Sequence, residues 1–239
     1  RVIHHKDATG LEIEKTLLNQ IHQKKNINIF SNHFAVDIIT EHHLTSNTAN
    51  VQRTFERDSA GSHQTSNISC YGAYVLNRKN NSVKSFFSKI TLIASGGIGQ
   101  VYRNTTNPLI ATGDGIAIAQ RAGARVKNME FVQFHPTALF HPSDSPQFLI
   151  SEAVRGFGAK LKTKSGKLFM SKYDEREELA SRDIVARAID NEMKKNGDDF
   201  VFLDCRQLEY KQFSKNFPNI FKKCKSIGID IRKDMIPVV

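Results

Sequence analysis

The chain has 239 residues, 39% of them hydrophobic, which suffices for one large domain or two modest ones with a packed core. Its formal net charge is +10, but basic residues are spread among acidic ones, and no zinc finger, aromatic RNA-binding motif or long basic arm occurs. We therefore expect no nucleic-acid partner. No apolar run approaches the roughly 18 residues that a membrane span needs, and no signal-peptide pattern opens the chain, so we expect a cytoplasmic protein without membrane association.

The three cysteines are widely separated and form no C-x-x-C pair; they are Cys70, Cys205 and Cys224. This spacing indicates neither a disulfide framework nor a zinc site. We expect buried or inert thiols and no metal.

The first third of the chain has the pattern of an α/β protein. Apolar residues between 4 and 25 recur at helical spacing, and the β-rich runs 27–30 and 35–40 follow. A helix followed by strands is typical of the α/β class. The polar stretch 45–69 predicts a long loop, and 71–87 predicts a hairpin that turns at 77–81.

Glycines follow the next apolar segment. Residues 89–95 predict a strand that runs into Gly96 and Gly97, where the missing side chains let the backbone approach a ligand or a neighbour. Alone, GGIG is a weak signal for a nucleotide. Asp114 precedes a helix predicted at 116–122, and its simplest interpretation is the N-cap of that helix.

Three polar clusters interrupt the apolar segments between 130 and 189. His135 ends an apolar run before Pro136, where a side chain can face a cleft, although a structural histidine is the commoner interpretation. Ser151 and Glu152 stand where a helix start is predicted, and Glu152 could pair with Arg155 three residues on.

Arg182 is the third cluster's central residue. It follows Ser181 in the predicted first turn of a helix, where the helix dipole disfavours a cation. An ordinary surface ion pair with a neighbouring acid would explain it, and so would an anionic ligand.

Taken in order, these segments carry a family resemblance. The stretches FHPTALFHP, DEREELASRDIVARAIDNEM and FVFLDCRQL closely resemble the flavoprotein family that contains L-aspartate oxidase and the flavin subunits of succinate dehydrogenase and fumarate reductase. They are most similar to its L-aspartate oxidase branch. One departure is Phe157 in RGFGA, where family members often carry an acid, so the electrostatics around Arg155 are expected to differ.

The resemblance implies a fold and a cofactor. The fold class is α/β, with part of a Rossmann-like FAD-binding domain at 1–128 followed by an α+β capping domain at 129–239. The cofactor is FAD. Its implied contacts are Ala35, Val36, Gly96, Gly97 and Asp114.

The resemblance also implies an activity. It is the FAD-dependent oxidation of L-aspartate to iminoaspartate, with reoxidation by oxygen or fumarate, in quinolinate and NAD biosynthesis; quinolinate synthase is then a partner by pathway. His135, Ser151 and Glu152 would bind the substrate, and Arg182, with His135, would be catalytic. The alternatives are a fumarate reductase or succinate dehydrogenase flavoprotein, or a degenerate non-enzymatic fragment.

The G-x-G-x-x-G turn that holds a dinucleotide pyrophosphate does not occur in the chain. We therefore expect an internal piece of a longer flavoprotein, inactive alone and binding FAD poorly.

Overall fold

The computed structural model describes residues 5–41, 68–142 and 144–239. It divides into two compact units. The larger unit comprises Arg1–Ile27, Gly99–Ile110 and Phe131–Val239, and the smaller unit comprises Asn28–Ile98 and Ala111–Glu130. The loop predicted at 45–69 lies almost wholly outside the described residues, and the domain division after residue 128 stays a prediction.

The smaller unit is built on a three-stranded antiparallel sheet. Its strands, in the order β1-β2-β3, are His33–Thr40, Cys70–Asn77 and Ser82–Phe87. Strands β2 and β3 form the predicted hairpin. The helix α2, Asp114–Arg121, also belongs to this unit, and Gly123 at φ 87° follows its end.

Two predicted strands of the first hundred residues are not formed. Residues 27–30 precede β1 without a ladder, since Asn32 turns the chain in the left-handed region at φ 58°. The segment 89–95 has no ladder partner among the described residues, and its Ile90 and Leu92 are 87% exposed. Its apolar pattern is that of a buried strand, but a strand forms only where a neighbour completes its hydrogen bonds.

The larger unit holds the remaining helices and a second antiparallel sheet. The helices are α1 Thr9–His22, α3 Glu152–Gly156, α4 Arg182–Asn196, α5 Tyr210–Asn216 and α6 Pro218–Ser226. The strands, in the order β4-β5-β6, are Lys160–Lys162, Val201–Asp204 and Ile236–Val238. Short 3-10 turns lie at Gly99–Val101, Met170–Lys172 and Glu177–Leu179.

The core of the larger unit explains where α4 sits. Val185, Ala188 and Ile189 are buried at helical spacing on α4, and they belong to one apolar cluster with Leu161 of β4 and Leu203 of β5. Burying one face of α4 against this sheet fixes the helix, and with it the position of its first residue, Arg182.

Helix α6 is capped by a residue far away in the sequence. Asp7 Oδ2 accepts hydrogen bonds from the backbone N–H groups of Asn219 at 2.8 Å and Ile220 at 3.0 Å. These are the second and third residues of α6, and the N-cap residue Phe217 has no side chain that could accept hydrogen bonds from them. The N-terminal segment is thereby tied to α6.

The cysteine prediction is partly wrong. Cys205 and Cys224 are buried and Cys70 is exposed, and all three are free thiols. Cys70 begins β2, where its side chain is not covered by the sheet. In the described part of the chain, no helix is long and apolar enough to cross a membrane.

Candidate functional site

Arg182 and Glu152 form the centre of the candidate site in the larger unit. Arg182 Nε donates to Glu152 Oε2 at 2.5 Å, and Arg182 Nη1 donates to Gln133 Oε1 at 3.1 Å. The hydrogen bond and the opposite charge lower the pKa of Glu152 and raise the pKa of Arg182. The cation at the start of α4 is therefore paired with a carboxylate of the protein itself, that of Glu152.

Ser151 explains the placement of Glu152. The Ser151 hydroxyl accepts a hydrogen bond from the Ala153 N–H at 3.2 Å, so Ser151 is the predicted N-cap and Glu152 the first residue of α3. At this position the acidic side chain also complements the helix dipole.

Arg155 lies behind Glu152 and is buried, with only 4% of its surface exposed. Its Nη1 donates to the carbonyl of Glu178 at 2.6 Å, its Nη2 is 4.0 Å from Glu152 Oε2, and its Nε has no partner among the described residues. Burial lowers the pKa of Arg155. The predicted pair with Glu152 exists, but Arg182 is the closer partner of that carboxylate.

Glu178 supplies negative charge near Arg155. It is itself buried, and its carboxylate accepts from the Leu161 N–H at 3.0 Å and from Lys160 Nζ at 2.9 Å. Phe157 is half-buried and packs edge-to-face on Phe217 at 5.6 Å. Arg155 thus contacts the Glu178 backbone carbonyl, and the nearby Glu178 carboxylate, which binds Lys160 and the Leu161 N–H, acts on it only through its charge.

His135 is a neutral donor at neutral pH. Its Nδ1 accepts a hydrogen bond from the Thr137 N–H at 3.2 Å, and because a backbone N–H can only donate, the proton of the neutral ring is on Nε2. Burial, followed by the positive charges of Arg182 and Arg155, lowers the pKa of His135 to about 4.

His135 and Arg182 line one cavity of about 710 Å³ in the larger unit. One wall is a stripe of α4 that continues from Arg182 through Ala186 and Asp190 to Met193. The segment 102–107 supplies further polar groups. Among the described residues, three cationic side chains and one carboxylate line the cavity; they are Arg103, Arg182 and Arg187, and Asp190.

Gln147 fixes the segment 102–107 by two hydrogen bonds. The Gln147 N–H donates to the Thr105 carbonyl at 2.8 Å, and Gln147 Nε2 donates to Asn104 Oδ1 at 3.0 Å. Tyr102 packs edge-to-face on Phe134 at 4.9 Å. These contacts fix the position of this wall of the cavity.

The five predicted cofactor residues all lie in the smaller unit. Ala35 and Val36 are exposed on β1, where the register shift after Ala35 leaves Val36 as the extra residue of a β-bulge. Arg121 holds this bulge, because its Nη2 donates to the Val36 carbonyl at 3.0 Å and its Nε to Asp37 Oδ2 at 3.1 Å.

Gly96, Gly97 and Asp114 are brought together by one backbone hydrogen bond. The Gly113 N–H donates to the Gly97 carbonyl at 3.2 Å, and Gly96 has φ 76°. Asp114 is not the N-cap: Gly113, at φ 82°, holds that position, and Asp114 Oδ2 accepts from the Thr112 hydroxyl at 2.7 Å. Only glycine takes that backbone conformation without strain.

Open space lies beside the backbone of Gly96 and Gly97. A Cβ at Gly96 or Gly97 would meet no described atom within 4 Å, whereas a Cβ at Gly115 would lie 1.8 Å from Ser95 Oγ. The first two glycines leave exposed backbone, and the third lets α2 approach the segment that precedes them.

Two residues at the candidate site were not predicted from the sequence. Gln133 lies two residues before His135, and side chains two apart in an extended segment point to the same side. The spacing could therefore have predicted that Gln133 lies beside His135. Glu178 gave no such signal, because only tertiary packing brings its carbonyl to Arg155.

Comparison with known proteins assigns this chain to a class of nucleotide-cofactor proteins. The family model for the FAD binding domain matches residues 1–239, and the chain belongs to this family. It is similar to L-aspartate oxidase 1 of Ralstonia nicotianae, with 47% identity over all of this chain and 41% of that protein. It is 44% identical to the chloroplastic L-aspartate oxidase of Arabidopsis thaliana, over 35% of that protein.

Solved structures agree on the fold. A mutant E. coli quinol fumarate reductase superposes with a TM-score of 0.81 at 28% identity, covering 100% of this chain and 39% of that chain. The Mycobacterium smegmatis protein Sdh1, solved with UQ1, gives 0.64 at 29% identity, covering 100% and 38%. This chain thus spans about two-fifths of the length of the relatives that it matches.

Proposed function

We propose that this chain is part of an FAD-dependent enzyme that oxidises L-aspartate to iminoaspartate. The observation that carries the proposal is the pairing of a fixed cation, Arg182, with a neutral donor, His135, in one cavity of a chain 47% identical to an L-aspartate oxidase. We assign the cavity to the dicarboxylate substrate.

The cavity groups suit a dicarboxylate. Arg182 offers a permanent charge, and His135 offers the Nε2–H of a neutral ring, so a carboxylate can be bound by an ionic and a neutral donor together. Arg103 adds a further cation. Ser151 supports this set by placing Glu152, which holds Arg182.

The reaction removes a hydride from Cα of L-aspartate and a proton from its amino group. Bound FAD would supply the hydride acceptor. Arg182 retains its own proton, because Glu152 raises its pKa, and it therefore acts as the carboxylate clamp that orients Cα. The substrate proton then leaves to water or to another group.

The FAD contacts are assigned to the smaller unit. Ala35 and Val36 offer exposed backbone at the bulge of β1, Gly96 and Gly97 offer exposed backbone after 89–95, and Asp114 offers a carboxylate fixed by Thr112. Oxygen or fumarate would accept the electrons. We place the reaction before quinolinate synthase in NAD biosynthesis, in the cytoplasm.

A fumarate reductase or succinate dehydrogenase flavoprotein is the second candidate, because proteins of that kind share the fold. Both candidates bind dicarboxylates, so the cavity does not separate them. A non-enzymatic partner-binding fragment is the third, and an absence of any flavin from the whole protein would favour it.

Substrate-dependent hydrogen peroxide release by the whole flavoprotein tests the proposal. Peroxide formed with L-aspartate, and not with D-aspartate or succinate, is the expected result. Reduction of fumarate without any oxidation of L-aspartate would instead assign the second function.

A further inference from the structure

A second cavity of the larger unit lies on the outer face of strands β4 and β5. Its volume is about 590 Å³, and it shares none of its described lining residues with the cavity assigned to the dicarboxylate. Lys160 stands opposite Asp204 in the register of the two strands, and Lys162 follows two residues on, so these side chains share one face of the sheet. Leu161 and Leu203 lie between them in sequence and are buried in the core on the other face. We call this second cavity the β4–β5 groove.

Asp204 holds two of the cations that line the groove. Its carboxylate is buried, with 5% of the side chain exposed, and it accepts from Lys162 Nζ at 2.8 Å and from Arg206 Nε and Nη2 at 2.9 and 2.8 Å. The hydrogen bonds from Arg206 hold the pKa of Asp204 far below its usual range. Because one carboxylate serves two cations, the group of Lys162, Asp204 and Arg206 carries a net positive charge.

Lys160 is the third cation at the groove, and its charge is already balanced. Its Nζ donates to the carboxylates of Glu177 and Glu178, and these hydrogen bonds raise the pKa of Lys160. The excess positive charge of the groove therefore lies at Lys162 and Arg206.

Arg206 has an edge that the protein does not use. A guanidinium carries five N–H groups, and the side formed by Nε and Nη2 of Arg206 is taken by Asp204. Nη1 has no acceptor among the described residues, so the edge formed by Nη1 and Nη2 can donate to two oxygens of one anion. In the described part of the chain, Lys162 Nζ has Asp204 as its acceptor for one of three N–H groups.

The paired aspartate and arginine do not by themselves make a site. Asp174 holds Arg176 by the same two hydrogen bonds, at 2.9 and 2.8 Å, and Arg176 is not among the lining residues of either cavity. Asp204 differs because its carboxylate is shared with Lys162, which leaves an unbalanced cation beside the free edge of Arg206.

We propose that the β4–β5 groove binds a small phosphate ester, whose phosphoryl oxygens accept hydrogen bonds from Arg206 and Lys162. A phosphoryl group has three terminal oxygens, so it can accept from both Nη atoms of Arg206 and from the Lys162 ammonium at once, whereas a carboxylate has only two. Leu168 also lines the groove and is 54% exposed, so it can contact the organic part of the ester. The volume falls within the range of roughly 300 to 1,000 Å³ that is usual for small-molecule sites.

Calorimetry with phenyl phosphate as the probe tests the proposal in the whole flavoprotein. Succinate is kept at a saturating concentration so that the dicarboxylate cavity is occupied. We expect one phenyl phosphate to bind per chain with a Kd below about 1 mM at low salt, and benzoate to bind at least about tenfold more weakly.

Arg206→Lys is the decisive variant. It keeps a cation beside Asp204 but removes the free guanidinium edge, so it should raise the Kd for phenyl phosphate at least about tenfold. The matched control is Arg176→Lys, which alters the same kind of ion pair outside the groove and should change this Kd by less than about twofold.

Lys162→Gln is the second variant, and it leaves the pair of Asp204 and Arg206 in place. It should raise the Kd at least about fivefold, because one of the two cations is lost. Urea unfolding of each variant identifies those that are folded, so that binding is compared only between folded proteins.

Equal Kd values for the wild type, Arg206→Lys and Lys162→Gln would overturn the inference, and so would a Kd above about 10 mM for the wild type. Benzoate that binds as tightly as phenyl phosphate would overturn the assignment of the ligand to the phosphate esters. None of these results bears on the oxidation of L-aspartate, because the two cavities are lined by different residues.

Discussion

Arg182 Nε donates to Glu152 Oε2 at 2.5 Å and so joins the first residue of α4 to the first residue of α3. Both helix starts are fixed by buried faces, since α4 buries Val185 and α3 buries Val154. The pair is half exposed and adds little stability. The pair instead orients the Arg182 guanidinium at the edge of the cavity, and Glu152 raises the pKa of Arg182.

Replacing Arg182 by lysine tests the clamp. An ammonium keeps the charge but loses the planar fork that contacts Glu152 and Gln133 together, so we expect kcat/KM for L-aspartate to fall by about 10- to 100-fold while turnover stays measurable. Rapid-mixing measurement of flavin reduction checks this. Loss of all turnover, with substrate still bound, would show instead that Arg182 transfers a proton.

His135 should titrate far below an ordinary histidine. Nuclear magnetic resonance of the ring nitrogens should give a pKa of about 4, with Nε2 protonated above it. Ring signals that titrate near 6.5 would contradict the burial and the arginine charges that lower this pKa.

The same shift predicts an acid dependence of stability. The unfolded chain takes up a proton on His135 near pH 6.5 and the folded chain only near pH 4, so stability is unaffected above pH 6.5 and falls as the pH drops from 6.5 to 4. The size should be about 1 to 3 kcal/mol. Urea unfolding of His135→Gln should show a shallower decline across this window than the wild type, and parallel curves would refute the effect.

Asp7 should stabilise the helix that it caps. Asp7→Ala leaves the N–H groups of Asn219 and Ile220 without their acceptor and should lower the free energy of unfolding by about 1 to 2 kcal/mol. Asp7→Asn keeps an acceptor oxygen and should cost less. The control is Glu14→Ala, an exposed acid on α1; equal urea midpoints for Asp7→Ala and this control would disprove the cap.

The three thiols should differ in reactivity. Cys70 is exposed, whereas burial raises the pKa of Cys205 and raises that of Cys224 to about 11. A thiol reagent should therefore modify Cys70 in the native protein and the other two only in denaturant. A Cys70→Ser variant that still reacts rapidly when folded would contradict the placement of the buried pair.

Local signals in the sequence located the starts of the two helices at the candidate site. Ser151 before an apolar run and Ser181 before a periodic one predicted the starts of α3 and α4, because caps and helical periodicity are properties of neighbouring residues. The hairpin of β2 and β3 was predictable for the same reason. The α/β class and the FAD family were confirmed as well.

Contacts between distant segments could not be predicted. Asp7 meets α6 across 212 residues, and Glu178 meets Arg155 across 23, and neither pair leaves a periodic pattern. The alternative interpretation of Asp114 as an N-cap was wrong: aspartate commonly caps helices, but the glycine before it adopts the left-handed conformation and takes that position, while the cofactor role of Asp114 stays a prediction.

Anaerobic titration of the whole flavoprotein with L-aspartate, followed by flavin absorbance, tests the proposed function most directly. We expect L-aspartate to bleach the flavin and succinate to leave it oxidised, and we expect Arg182→Lys to slow the bleaching without abolishing it. A flavin that succinate reduces and L-aspartate leaves oxidised would contradict the assignment of the substrate.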